Sequence, residues 1–127
     1  LKIVLIAALY AIGAHGIMTL NDFKALKGDK QTGINSLPVQ FGPNKAAKIA
    51  CWVMTIPQLL VVILMLNWGA FNHALITGFL VIGQFFAMQK LLKDPQKFAP
   101  WYNATGVLMF VLGMMVCAFG LRNFGAI

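Results

Sequence analysis

Four long apolar runs divide this chain, and no other feature narrows its fold as much. They extend from Ile3 to Leu20, Ala46 to Leu66, Ala70 to Gln89 and Trp101 to Leu121. About 20 residues of α-helix cross a bilayer core of about 30 Å, so each run spans it or nearly does. Inside lipid every backbone N–H and C=O must find its partner within the segment, which selects helix over loop. The expected fold is all-α: a polytopic transmembrane helical bundle of about four helices, covering residues 2–21, 44–66, 70–92 and 100–122. Only 10% of the 127 residues are charged and 60% are hydrophobic. A soluble domain carries about a quarter charged residues, so lipid is the solvent this composition suits.

The net charge of +7 invites a nucleic-acid reading. The cations lack the interleaved aromatic stripe that such a footprint needs, so no nucleic-acid partner is expected. They sit instead in the connectors. Lys24, Lys27, Lys30, Lys45 and Lys48 flank the first connector, and Lys90, Lys93 and Lys97 flank the third. The second connector, Asn67 to Asn72, has none, and the chain ends add only Lys2 and Arg122. Cytoplasmic loops are the ones enriched in Lys and Arg, so the first and third connectors are expected in the cytoplasm. A multi-pass integral membrane protein follows. Trp68 and the Trp101–Tyr102 pair fall where an interfacial aromatic belt belongs. The chain opens at Leu1, already inside an apolar run, and is expected to be a piece of something longer. Cys51 and Cys117 lie in apolar runs near opposite faces and are expected as buried free thiols.

Within the helices, Pro57 is expected to kink the second run and free a carbonyl. Gly13, Gly16, Gly78, Gly83, Gly106, Gly113 and Gly120 offer small surfaces for close helix packing. Gln58 and Gln84 are expected to hydrogen-bond between helices. His15 is an ionisable group inside the first run. A hydrogen bond to a neighbouring helix is its expected role, with a metal ligand or a polar contact in a cavity as the functional alternatives. His73 is read as a surface residue of the second connector, and Asp94, before Pro95, as a turn or helix-end residue.

The connector from Asn21 to Lys45 holds the chemistry-bearing residues. Of three carboxylates in the chain, Asp22 and Asp29 are both here, seven residues apart. Helical continuation would put them on one face, although Gly28 weakens that helix. Two carboxylates at a membrane surface are hard-oxygen ligands for Mg²⁺, which keeps waters and shares its remaining positions with a substrate phosphate. Lys24, Lys27 and Lys30 can meet the other phosphate oxygens as point charges. Asn21 can orient Asp22, and His15, seven residues earlier, can share its face. A solvated loop whose Asp and Lys side chains offset one another has the same spacing, and spacing alone does not choose between the two.

The wording of the segment does more. HGIMTLNDFKALKGDKQTGINSLPVQFG, from His15 to Gly42, resembles the second aspartate-rich region of the UbiA-type membrane prenyltransferases. It is most similar to the branch of chlorophyll and bacteriochlorophyll synthases. The likeness rests on Asn-Asp-Phe-Lys from Asn21, Gly28-Asp29 before a basic residue, Gly33-Ile34, Ser36 to Val39, and Phe41-Gly42. It implies a C-terminal half of such an enzyme, with the aspartate loop at about 21–43. It implies Mg²⁺-dependent transfer of a geranylgeranyl or phytyl group from its diphosphate to the propionate of a (bacterio)chlorophyllide. Asp22 and Asp29 would be catalytic metal ligands, and Lys24, Lys27 and Lys30 would contact the diphosphate. Ala25 stands where many superfamily members have another aspartate. The family's first aspartate-rich motif is absent from this stretch, so the implied partner is an N-terminal half carrying it. A sister enzyme acting on an aromatic quinone precursor, and a membrane scaffold or transporter fragment, are the competing readings.

Overall fold

The computed structural model describes residues 1–122, apart from the side chains at positions 24, 25 and 27. Among the described residues all regular structure is helical. The helices are α1 (Lys2–Asn21), a 3-10 turn (Asp22–Ala25), α2 (Leu26–Thr32), α3 (Leu37–Phe41), α4 (Pro43–Asn67), α5 (Phe71–Leu91) and α6 (Pro95–Leu121). α1, α4, α5 and α6 are each long and apolar enough to cross a membrane.

Neighbours in sequence pack antiparallel. Across α1 and α4, Gly16 meets Ala50 and Gly13 meets Met54, while Tyr10 bonds to Gln58. Across α5 and α6, Gly83 meets Met109, Gly120 meets His73, and Thr77 lies 3.5 Å from the Cys117 thiol. In both series the numbers rise on one helix as they fall on the other. α4 packs on α5, and α6 returns to α1, closing a four-helix ring.

The connector between α4 and α5 is a three-residue turn, and the one between α5 and α6 is shorter than expected. Gly69 has φ +85°, a conformation that glycine adopts without steric cost. It lets α5 begin at Phe71, directly after the turn: Trp68 caps α4 and Ala70 precedes α5. His73 is therefore a half-buried residue of the first turn of α5, against Gly120, and not a connector residue. At the other hairpin Asp94 is the N-cap of α6, its carboxylate accepting from the Lys97 N–H at 3.4 Å. Pro95 at the first position suits a helix start, where no N–H partner is required. α6 thus begins about five residues before the expected 100, and Pro100 lies inside it. Pro57 lies inside α4 as expected.

The centre of the bundle is polar by a thin chain of contacts. The Gln58 amide donates to the Tyr10 hydroxyl at 3.2 Å. That hydroxyl lies 3.9 Å from the Cys117 sulfur, which also contacts Thr77. All four long helices are joined there. Gln84 was expected to do the same from α5, but both its amide atoms are buried without a hydrogen-bond partner among the described residues. Tyr102 is 1% exposed. It is core and not part of an aromatic belt, because α6 turns it toward the bundle; Trp101 instead stays half-buried with the Lys90 ammonium 4.3 Å from its ring centroid. Cys51 and Cys117 are buried and free.

Not every small residue serves packing between helices. Gly13, Gly16, Gly83, Gly113 and Gly120 face other helices closely, whereas Gly106 faces Tyr102 of its own helix. Gly78 has no atom within 4 Å of where a Cβ would stand.

Candidate functional site

The connector between α1 and α4 is a folded cap. The chain leaves α1 without breaking helical geometry, tightening to the 3-10 turn and relaxing into α2. Gly28 does not stop it: the residue is exposed, with open space around it. Its cost of about 1 kcal/mol relative to alanine is one that tertiary anchoring can absorb. The anchors are Phe23 and Leu26, 7% and 5% exposed. They follow Asp22 by one and four positions, so the segment buries one side and presents the other. α2 ends at Gly33, φ +76°, with the Ile34 N–H bonded to the Asp29 carbonyl at 3.0 Å. Pro38 of α3 is buried.

Asp22 and Asp29 are both half-buried. The Asp22 carboxyl is raised above the ordinary aspartate value, first by desolvation and then by the Asp29 charge. The Asp22 carboxyl thus senses the Asp29 charge, as side chains sharing a helical face can. Among the described residues they have no third carboxylate, imidazole or thiol beside them that would complete a metal cluster. Magnesium is commonly held by one or two carboxylates plus waters and substrate phosphate, so two carboxylates are donors of the right chemistry for a divalent cation. A like-charge pair with no ion-pair partner among the described residues is also one that a divalent cation would relieve.

The other expected site residues divide. Lys30 and Asn21 are exposed on the cap. The side chains of Lys24 and Lys27 lie outside the described residues. His15 is exposed on the outside of α1, and its side chain has no hydrogen bond among the described residues. The expected bond to a neighbouring helix is absent because α1 turns Gly13 and Gly16, not His15, toward α4. Phe23 and Leu26 are the positioning residues that sequence reasoning passed over. The signal was available: two apolar side chains three apart among the charged residues around Asp22 and Asp29.

Below the cap, α1 and α6 enclose an apolar groove of about 430 Å³. Ile17, Ala14, Ala11 and Ile6 line it from α1, with Phe110 and Met114 opposite. Ile17 is five residues before Asp22 and Ile6 is sixteen before it. At 1.5 Å per residue the groove runs from near the cap to deep in the bundle. Tyr10 also touches it, but its hydroxyl is taken by Gln58.

Comparison with known proteins bears on the same residues. The chain is 59% identical over 121 residues to the bacteriochlorophyll synthase 33 kDa chain of Cereibacter sphaeroides, covering 95% of this chain and 40% of that protein. It is 40% identical over 118 residues to the bacteriochlorophyll synthase 34 kDa chain of Chloroflexus aurantiacus, covering 93% of this chain and 38% of that protein. It is 39% identical over 117 residues to the chloroplastic chlorophyll synthase of Avena sativa, covering 91% of this chain and 31% of that protein. The chain thus spans about two fifths of the length of the bacterial relatives. No solved structure matches it. Residues 1–111, which include the whole aspartate cap and the helices around it, match the UbiA prenyltransferase family, and the chain belongs to that family.

Proposed function

We propose that this chain is the C-terminal part of a membrane prenyltransferase that esterifies a (bacterio)chlorophyllide with a geranylgeranyl or phytyl group. One observation carries the reading: Asp22 and Asp29 lie on one folded cap, electrostatically coupled, above an apolar groove. The names of the relatives supply the substrate class. An anionic head joined to a long apolar tail matches a charged cap over an apolar slot.

In the proposed reaction the bond between the prenyl C1 and the diphosphate oxygen breaks, and its electron pair leaves with the diphosphate. A propionate oxygen of the acceptor forms the new bond to C1. Asp22 and Asp29 would hold Mg²⁺, which when bound neutralises diphosphate charge. Lys30, with Lys24 and Lys27, supplies further positive charge to the departing oxygens. Asn21 orients Asp22, and His15, exposed on α1, is left for a contact outside this chain. The groove between α1 and α6 keeps water from the allylic carbon as positive charge develops there. The aspartate cap would face the cytoplasm, with the missing N-terminal half and its own aspartate-rich motif opposite.

The test uses the full-length protein in membranes, with chlorophyllide or bacteriochlorophyllide and either prenyl diphosphate. Asp22→Asn and Asp29→Asn should each abolish most ester formation while leaving expression intact. Wild-type turnover at limiting Mg²⁺ in either variant would remove that residue from the site. Turnover of an aromatic quinone precursor, with none of the tetrapyrroles, would move the protein to another branch of the family.

A further inference from the structure

A second groove runs down α4 beside α1, clear of the two aspartates. Its volume is about 470 Å³, and its walls include Ile12, Ile49, Trp52, Val53, Ile56 and Pro57. Lys45 and Lys48 stand at one end. Ile12 and Ile56 are 53% exposed and Trp52 is 43% exposed, so the groove opens sideways, away from the bundle core. Lys45 and Pro57 are twelve residues apart in one helix, which is about 18 Å along its axis. Half of a bilayer core is about 15 Å. The groove therefore runs from the headgroup level to the middle of the membrane, the depth of one leaflet.

Its charge is as telling as its length. The two lysines are exposed, and the groove's lining contains no carboxylate. The Lys45 ammonium sits 5.2 Å from the Phe41 ring centroid, which keeps it at the mouth. We infer that this groove holds one anionic phospholipid from the leaflet on the Asp22 side, its phosphate between Lys45 and Lys48 and an acyl chain along α4. A prenyl diphosphate also joins an anionic head to an apolar tail. Its head carries more negative charge, however, and calls for a divalent cation that a mouth without carboxylates does not hold. A singly charged phosphodiester matches two ammonium groups. The inference is independent of the proposed reaction, since among the described residues none assigned to that reaction lines this groove.

The experiment places the full-length protein in nanodiscs of equal phosphatidylglycerol and phosphatidylcholine, extracts it in mild detergent, and counts retained lipid by native mass spectrometry. One phosphatidylglycerol should be kept in preference to phosphatidylcholine. Lys45→Gln/Lys48→Gln should reduce that preference by about thirtyfold, from the attraction of two juxtamembrane lysines. Lys45→Arg/Lys48→Arg should retain it, which separates lost charge from lost folding. Lys93→Gln, on the α5–α6 hairpin, should leave it unchanged. Equal loss in Lys93→Gln would overturn the inference, because any lysine on that face would then serve. Displacement of the lipid by geranylgeranyl diphosphate would also overturn it, giving the groove to the substrate. So would protection of a cysteine placed at Trp52 from a lipid-phase reagent, since another helix would then cover the groove.

Discussion

The crossing of α1 and α4 should be the least forgiving place in the bundle, and Gly16→Ala tests it with one methyl group. A Cβ at Gly16 would fall on the Ala50 carbonyl oxygen and on the Met54 side chain. The first obstacle is backbone of a packed helix and cannot rotate away. Overpacking a tight site costs about 1–3 kcal/mol, and a backbone obstacle belongs in the upper part of that range. Replacing a helical glycine by alanine returns about 1 kcal/mol. The net loss should be about 1–2 kcal/mol. Gly78→Ala is the control, because nothing lies within 4 Å of its would-be Cβ. It should keep the helix-forming gain of about 1 kcal/mol, so the two variants should differ by about 2–3 kcal/mol. Gly13→Ala should fall between them, since its Cβ would meet the edge of the Phe110 ring at 2.8 Å, a side chain able to shift. Unfolding by SDS in mixed micelles, followed by tryptophan fluorescence, reads these differences. Gly16→Ala as stable as Gly78→Ala would refute the packing argument, and with it the register that brings Tyr10 to Gln58.

Three other outcomes are expected. Cysteines placed at Lys30 and Gln96 should react only with reagent on the cytoplasmic side; labelling of either from outside would reverse the topology. The Asp22 carboxyl, followed by carbon NMR in micelles, should titrate lower in Asp29→Asn than in the wild type, while staying above the ordinary value because desolvation remains. As its folded value is raised, protonation favours the folded cap, so local stability should rise as pH falls through that titration; an unmoved Asp22 titration would show that the aspartates do not share a face. Finally, residues 1–127 alone should esterify no pigment, and co-expression of the N-terminal half should restore turnover, because independently inserted helices can associate; turnover by the short chain alone would mean that one aspartate cap suffices.

The aspartate cap shows how local and tertiary information divide. Asp22 and Asp29 are seven residues apart, so any continuous helix must align them, and the sequence alone supports that much. Whether the helix continues through Gly28 is another matter. Burial of Phe23 and Leu26 against the bundle holds the segment helical, and that contact exists only once the long helices have assembled. The start of α6 is similar in the opposite sense. The Asp94-Pro95 pair is a local start signal, and it takes effect before the apolar run that marked the expected span.

For the long helices the sequence determined number and apolar character by itself, because backbone satisfaction in lipid leaves a run of about 20 apolar residues no other state. It did not determine which face of each helix points inward. Lipid accepts apolar side chains as readily as a neighbouring helix does, so the hydrophobic pattern that orients a helix in water is nearly silent here. Only the assembled bundle decided that Tyr102 is core, that His15 faces outward, that Gln58 finds Tyr10 while Gln84 finds no partner among the described residues, and that Gly16 sits at a crossing while Gly78 does not. Those outcomes depend on how far each helix is rotated about its axis, which is set by the shapes and few polar contacts of its neighbours and not by its own hydropathy.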